Sequence, residues 1–190
     1  MCSSDLEFIE QLAPAERAQL RSVAIDAYSK FDECFPPLKN SWRPVLESSA
    51  RVELFGGRIN LSTRADLTLG AVGAKVIVDM KSGRVYPNHR EELRFYALVE
   101  SLRAGTAPRM LATYSLETAR AEVEQVTEGV LQAALRKTVD GIRQMAEVQL
   151  NEREPNRRGC TACYWCPLAD TCEEGIAFIA RRNDPDADDY

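Results

Sequence analysis

The chain has 190 residues, 45% hydrophobic and 28% charged, about one domain's worth of folding chain, which excludes a disordered or fibrous protein. Its net charge is −5, but Asp184, Asp186, Asp188 and Asp189 carry four of those charges at the carboxy end, so the body is nearly neutral and its basic residues are mostly arginine. No apolar run reaches the roughly 18 residues of a membrane span, and the amino end, with Asp5, Glu7 and Glu10, lacks the basic flank and apolar stretch of a signal peptide, so the chain reads as cytoplasmic with no membrane partner.

Residues 14–33 open on Pro14 and repeat apolar side chains at three-to-four spacing (Leu20, Val23, Ala24, Ala27, Tyr28, Phe31), which predicts a helix ending before Pro36-Pro37. Residues 1–44 are thus a helical segment and its connector. The period then becomes two. Val52, Leu54, Ile59, Leu61, Ala65, Leu67 and Leu69 alternate with polar residues around Gly56-Gly57, the pattern of two antiparallel strands, or three, within 50–70. Val76-Ile77-Val78 is a continuous apolar run, expected of a strand over 74–80 covered on both faces. Asn88 followed by Glu91 reads as a capping box for a helix over 89–104, which makes His89 a helix-start residue rather than a ligand. A strand over 109–114 and a helix over 128–150, with Leu131, Leu135, Val139, Ile142 and Ala146 on one stripe, complete a core at 45–150. Strands with helices on both sides give an α/β fold with a mixed central sheet. Residues 151–176 carry four cysteines, and 177–190 read as an acidic, disordered tail.

His89 is the sole histidine, so zinc sites with two histidines are excluded and any Ser-His-Asp or Cys-His chemistry would have to use it. Carboxylates are the stronger candidates. Asp79 ends the apolar strand, alternation puts Lys81 on the same side, and the preceding strand can bring Asp66 into the same cleft. Two carboxylates and a backbone carbonyl suit Mg²⁺ or Mn²⁺ with positions left for water and a phosphate oxygen, and a lysine beside the cation can orient water and offset transition-state charge. A plain strand-end ion pair between Asp79 and Lys81 satisfies the same spacing.

Three stretches in one order, Gly57-Arg58-Ile59 through Arg64-Ala65-Asp66, then Val76-Ile77-Val78-Asp79-Met80-Lys81-Ser82-Gly83, then Glu92-Leu93-Arg94-Phe95-Tyr96-Ala97-Leu98, resemble the core of PD-(D/E)XK nucleases of the RecB type. Downstream, Cys163-x2-Cys166-x5-Cys172 resembles the cysteine triplet of the iron-sulfur members, the AddB nuclease domain and the CRISPR-associated RecB-like exonucleases. This resemblance, over about residues 50–172, implies a restriction-endonuclease-like core and a Mg²⁺- or Mn²⁺-dependent deoxyribonuclease. The expected work is exonucleolytic or end-processing, on single-stranded or free-ended DNA, in repair, recombination or defence and within a larger complex. Carried over, Asp66 and Asp79 would hold the metal with the Met80 carbonyl, Lys81 would be the catalytic lysine, and Tyr96 would lie on the helix face turned to DNA. Glu92 stands where that family carries glutamine, as an extra ligand or as a charge that repels phosphate. The alternative it leaves is a catalytically weak or inactive DNA-binding or assembly subunit that keeps the fold. Glu33 and Glu16 are the candidates for the family's early-helix acid.

Cys160, Cys163, Cys166 and Cys172 are spaced C-x2-C-x2-C-x5-C, closer to the crowded runs of a [4Fe-4S] cluster than to the paired knuckles of a four-cysteine Zn²⁺ site, which is the alternative. Tyr164, Trp165, Pro167 and Leu168 are expected to shield such a cluster. Cys34 is the rival to Cys160 as fourth ligand.

Overall fold

The computed structural model describes residues 3–83 and 85–182, residues 3–5 by backbone alone. It divides at Val139/Asp140, inside a helix, into two units. The first unit includes the amino-terminal residues that the sequence sets apart at residue 44, and the division falls before the expected boundary at 150.

The first unit is built on one sheet. β1 (Val45–Leu54) and β2 (Ile59–Leu69) form the predicted hairpin, turned at Phe55, Gly56 and Gly57 with φ of 53°, 66° and 83°, a conformation glycine adopts freely. β2 runs antiparallel to β3 (Val76–Lys81), β3 parallel to β4 (Met110–Ser115), and β4 antiparallel to β5 (Arg120–Gln125), giving the order β1-β2-β3-β4-β5. A parallel pair needs a crossover, and α1 (Ser3–Gln11) and α2 (Pro14–Cys34) are followed, between β3 and β4, by the helix that makes it, α3 (Pro87–Ala104). Its start differs from the expected box: Tyr86 precedes the helix and donates its N–H to His89 Nδ1 at 3.2 Å, so His89 does the work assigned to Glu91.

The sheet has apolar packing on both faces. Ala65, Ile77 and Leu111 meet Leu93 and Ala97 of α3 on one side, with Leu131 of α4 (Glu128–Gln149) at the margin. Leu67, Val78, Ala112 and Tyr114 occupy the other, covered by Phe31 and Phe35 at the carboxy end of α2. Those two rings stack at 4.7 Å, and both meet Tyr114 edge-on. The predicted α2 stripe is otherwise uncovered, with Leu20, Val23 and Tyr28 exposed. On α4, Leu135 and Val139 are likewise exposed, and Ala134 is the buried residue. At the far end of β3, Lys75 Nζ is paired with the buried Glu100 of α3, which also accepts from Arg103.

Strand alternation breaks at one residue, and that residue is Asp66. Ala65 packs on the α3 face and Leu67 on the opposite one, although a regular strand puts positions two apart on the same face. The β1–β2 register skips the step where Glu47 would face Asp66, and Glu47 has a φ of 52°. The β2–β3 ladder stops at Leu67–Val78, one step short of Asp66. Both ladders of Asp66 therefore lapse where it stands, while the β1–β2 register is the same on either side of the gap.

The second unit contains the carboxy end of α4, two short 3₁₀ turns (Thr161–Trp165 and Ala169–Thr171) and α5 (Glu173–Arg182). A Cβ on Gly159 would meet Glu174 O and Phe178 Cβ at 2.7 Å, so glycine is required where the chain passes α5. The helix α5 continues beyond residue 176, where the sequence places a disordered tail; the four tail aspartates lie outside the described residues. Among the described residues, no helix is long and apolar enough to cross a membrane.

Candidate active site

The unpaired step at Asp66 in β2 and the last residues of β3 bring the predicted carboxylates together. Because the ladder has opened, the Met80 N–H is not committed to β2 main chain and donates instead to Asp66 Oδ2 at 2.7 Å. Asp79, one residue earlier, turns to the α3 face, where it is 6% exposed. Lys81 shares that face, as alternation predicts, and its Nζ lies 3.1 Å from Asp79 Oδ2. The ion pair with Lys81 faces Asp79 Oδ2, which is buried and has no well-formed hydrogen bond among the described residues.

The helix closes the site from above. Glu92 and Tyr96 are four apart on α3 and so face the same way. Glu92 Oε2 accepts from Lys81 Nζ at 3.2 Å, and Glu92 Oε1 accepts from the Tyr96 hydroxyl at 3.1 Å. A chain of four side chains thus runs Tyr96–Glu92–Lys81–Asp79. Each Glu92 oxygen thus accepts one hydrogen bond, and the hydroxyl of Tyr96 is turned to Glu92.

Charge follows the geometry. Burial raises the Asp79 pKa above the usual carboxylate range, Lys81 opposes that, and the charges of Asp66 and Glu92 add to it. Burial pulls Lys81 down, yet its ion pairs with Asp79 and Glu92 outweigh that and hold Lys81 above an ordinary lysine. Tyr96 is pushed up to about 12, by burial first and then by Glu92. Three carboxylates around one ammonium leave an excess of negative charge in a partly desolvated cleft.

A model of the PD-(D/E)XK nuclease superfamily matches residues 5–173. The chain belongs to that superfamily. This PD-(D/E)XK protein also resembles two solved structures at low identity: an exonuclease candidate from Eubacterium rectale (17% identical, TM-score 0.49, covering 82% of this chain and 79% of that one) and SSO0001 (14%, TM-score 0.42, 90% and 78%). No curated protein matches it. The mixed sheet with flanking helices is the restriction-endonuclease-like fold of the superfamily, as the sequence reading expects.

Among the described residues of the PD-(D/E)XK chain, no group of three or more His, Cys, Asp or Glu side chains is placed to hold a metal ion. Two carboxylates and a main-chain carbonyl, those of Asp66, Asp79 and Met80, are the groups that could hold a divalent cation. The cation fits on one observation above all: Asp79 Oδ2, buried and without a donor, is an atom whose need a hard cation meets. Sequence reasoning missed Thr113, which is buried and pairs with Asp79 across the parallel ladder. The strand over 109–114 held the signal, since its polar position alternates with Leu111. The early-helix acids do not join the site on any contact: Glu16 accepts from the Ala13 N–H at 2.9 Å, and Glu33 is exposed on α2.

Within the second unit, Cys160, Cys163, Cys166 and Cys172 line one cavity of about 550 Å³, together with Arg157 and Arg158. The Cys160 N–H points at Cys163 Sγ (3.4 Å), and Gly175 is packed so that its Cβ would sit 3.7 Å from the same sulfur. Cys34 belongs to the first unit, next to Tyr114. The aromatic shield is not there: Trp165 is 77% exposed, and Tyr164 and Leu168 are exposed with it.

Proposed function

We propose that the protein is a Mg²⁺- or Mn²⁺-dependent deoxyribonuclease that hydrolyses phosphodiester bonds at single-stranded or free DNA ends, in repair, recombination or defence. The observation that carries this reading is the buried, donorless Asp79 oxygen beside Asp66 and Lys81, at the place where strand pairing has been given up. Asp66, Asp79 and the Met80 carbonyl would hold the cation, which when bound supplies a Lewis acid for a phosphoryl oxygen and acidifies a water. Asp66 is kept in place by the Met80 N–H, so the carboxylate and the carbonyl of the same neighbour are oriented together. Lys81 meets developing phosphate charge with its ammonium. When Asp79 turns to the cation, Glu92 remains as the counter-ion of Lys81, and Tyr96 holds Glu92 from behind. Glu92 and Tyr96 are therefore positioning residues, acting through Lys81.

The four cysteines are read as the ligands of a [4Fe-4S] cluster that folds the second unit about itself. Four thiols round one cavity, at the crowded C-x2-C-x2-C-x5-C spacing, support this reading. Anaerobically purified protein should carry iron and sulfide that Cys163→Ser loses; zinc in their place overturns the cluster.

The test of the function is digestion of end-labelled single-stranded and duplex DNA with Mg²⁺, with Mn²⁺ and with chelator. Metal-dependent shortening that Lys81→Ala and Asp66→Ala abolish is the expected result. Tight DNA binding with no cleavage under any metal favours the non-catalytic assembly subunit, a reading that the capture of Lys81 between two carboxylates supports.

A further inference from the structure

The register of β4 and β5 places a cation beside the site that no motif marks. Arg120, Glu122 and Glu124 pair with Ser115, Thr113 and Leu111, and so share the sheet face that α3 covers. Two of the three meet a helix cation: Glu124 is held by Arg94 at 2.6 and 2.9 Å, and Glu122 lies 3.7 Å from Arg90. The next step back along the helix passes its first turn, because α3 begins only at Pro87. Arg120 therefore has no helix residue opposite it. It is exposed and, among the described residues, makes no ion pair.

Arg120 is also in line with the lysine of the site. Lys81 pairs with Ser115, and Ser115 pairs with Arg120, so the three form one row across the sheet. Two strand spacings separate Lys81 from Arg120, roughly 10 Å at the backbone, with both side chains on the same face. A cavity of about 670 Å³ opens along this row, lined by Val85, Ser115, Thr118, Arg120, Ala121 and Glu122. Of these only Glu122 is acidic, and Arg90 already neutralises it.

We propose that Arg120 binds a backbone phosphate of single-stranded DNA one or two nucleotides from the scissile one, gripping the strand while Lys81 faces the bond that breaks. The proposal rests on the deoxyribonuclease reading above. A guanidinium fork matches phosphate oxygens in pairs, and the offset between Arg120 and Lys81 suits an extended strand crossing the ends of β3, β4 and β5.

The test uses the full-length protein, a fluorescein-labelled single-stranded oligonucleotide, chelator to prevent cleavage, and anisotropy across a salt series. Arg120→Ala should bind about tenfold more weakly at low salt and lower the slope of log K against log salt by about 0.7, the share of one phosphate on a single strand. Arg120→Lys should fall between the two. With Mn²⁺, kcat/KM of Arg120→Ala should drop by a matching factor. Unfolding temperatures equal to the wild type's would confirm that the exposed site was removed cleanly. Unchanged affinity and slope, in a protein that otherwise binds and cleaves, overturn the role of Arg120 alone. An equal loss on blunt duplex overturns the assignment to a single strand. A wild-type protein that neither binds nor cleaves overturns the reading on which the proposal rests, and the proposal with it.

Discussion

Asp79→Asn should make the protein more stable and inactive at once, and the sign should reverse when metal is added. In the free protein Asp79 is a buried carboxylate with one oxygen lacking a hydrogen-bond donor and with Asp66 and Glu92 as like-charged neighbours. A buried acceptor left without a donor costs about 1–3 kcal/mol, and a charged one more. Asparagine keeps the shape, removes the charge and adds an amide that can donate to a neighbouring carboxylate. The loss of the pair with Lys81 offsets part of the gain, but only part, since Lys81 retains Glu92 at 3.2 Å. The balance is a gain of about 1 kcal/mol, or 2–4 °C in Tm for a chain of this size. In Mn²⁺ at a hundred times its Kd the wild type gains about 2.7 kcal/mol by mass action, roughly 5–10 °C, and the variant gains little. Thermal unfolding by circular dichroism, run in chelator and in Mn²⁺, measures both. A variant that melts below the wild type in chelator, or Mn²⁺ shifts of equal size in both proteins, would refute the argument that metal binding is what the strained carboxylate is for.

If Tyr96 works only through Glu92, Tyr96→Phe should slow cleavage severalfold in the wild type and not at all in Glu92→Ala, a coupling that kcat values from a double-mutant cycle would expose. Glu92→Gln, which can still accept from Lys81, should recover most of what Glu92→Ala loses, whereas a Glu92 that merely supported the helix would show no such rescue. Tyr114 is buried with a hydroxyl that has no partner among Phe31, Phe35 and the sheet, so Tyr114→Phe should raise stability by about 1 kcal/mol in urea unfolding. The hydrogen bond from Arg94, followed by its charge, lowers the Glu124 pKa from 4.5, so the pair adds stability above that value and loses it as pH falls through the lowered one. Glu124→Gln should accordingly cost about 1 kcal/mol at neutral pH and progressively less in acid, read from Tm against pH.

What could be read from the residues alone depended on whether a segment carries its own contrast. β3 was legible because both its faces are covered, leaving an unbroken apolar run that no exposed strand would keep. β5 was not, because an edge strand whose inward side chains are Arg120, Glu122 and Glu124 presents ion pairs instead of hydrophobicity, and Val123 alone looks like strand. The Asp79/Lys81 pairing followed from a period of two, and the structure keeps it. The same period misplaces Leu67, since the break at Asp66 that frees a carboxylate for the site also flips every later side chain of β2. The motif helix was found from a capping box at Asn88 and Glu91, yet the bond from Tyr96 to Glu92 could have been anticipated from their four-residue spacing. Exposure was the least legible property: Trp165 and Tyr28 look like core residues by type, and nothing local to them announces that no partner covers them.

Lys75, just before β3, and Lys81, at its end, give the strand and its helix unequal attachments. Lys75 and Glu100 join them at one end with side chains 13% and 8% exposed, and Lys81 and Glu92 join them at the other with 24% and 41%. The inner tie is held out of water and reinforced by Arg103, so parting it would strand a buried charge. The outer tie can trade its partner for solvent at little loss. The first turn of α3, before the buried Leu93, should therefore part from the sheet more readily than its carboxy end, and amide exchange along α3 should quicken toward Pro87.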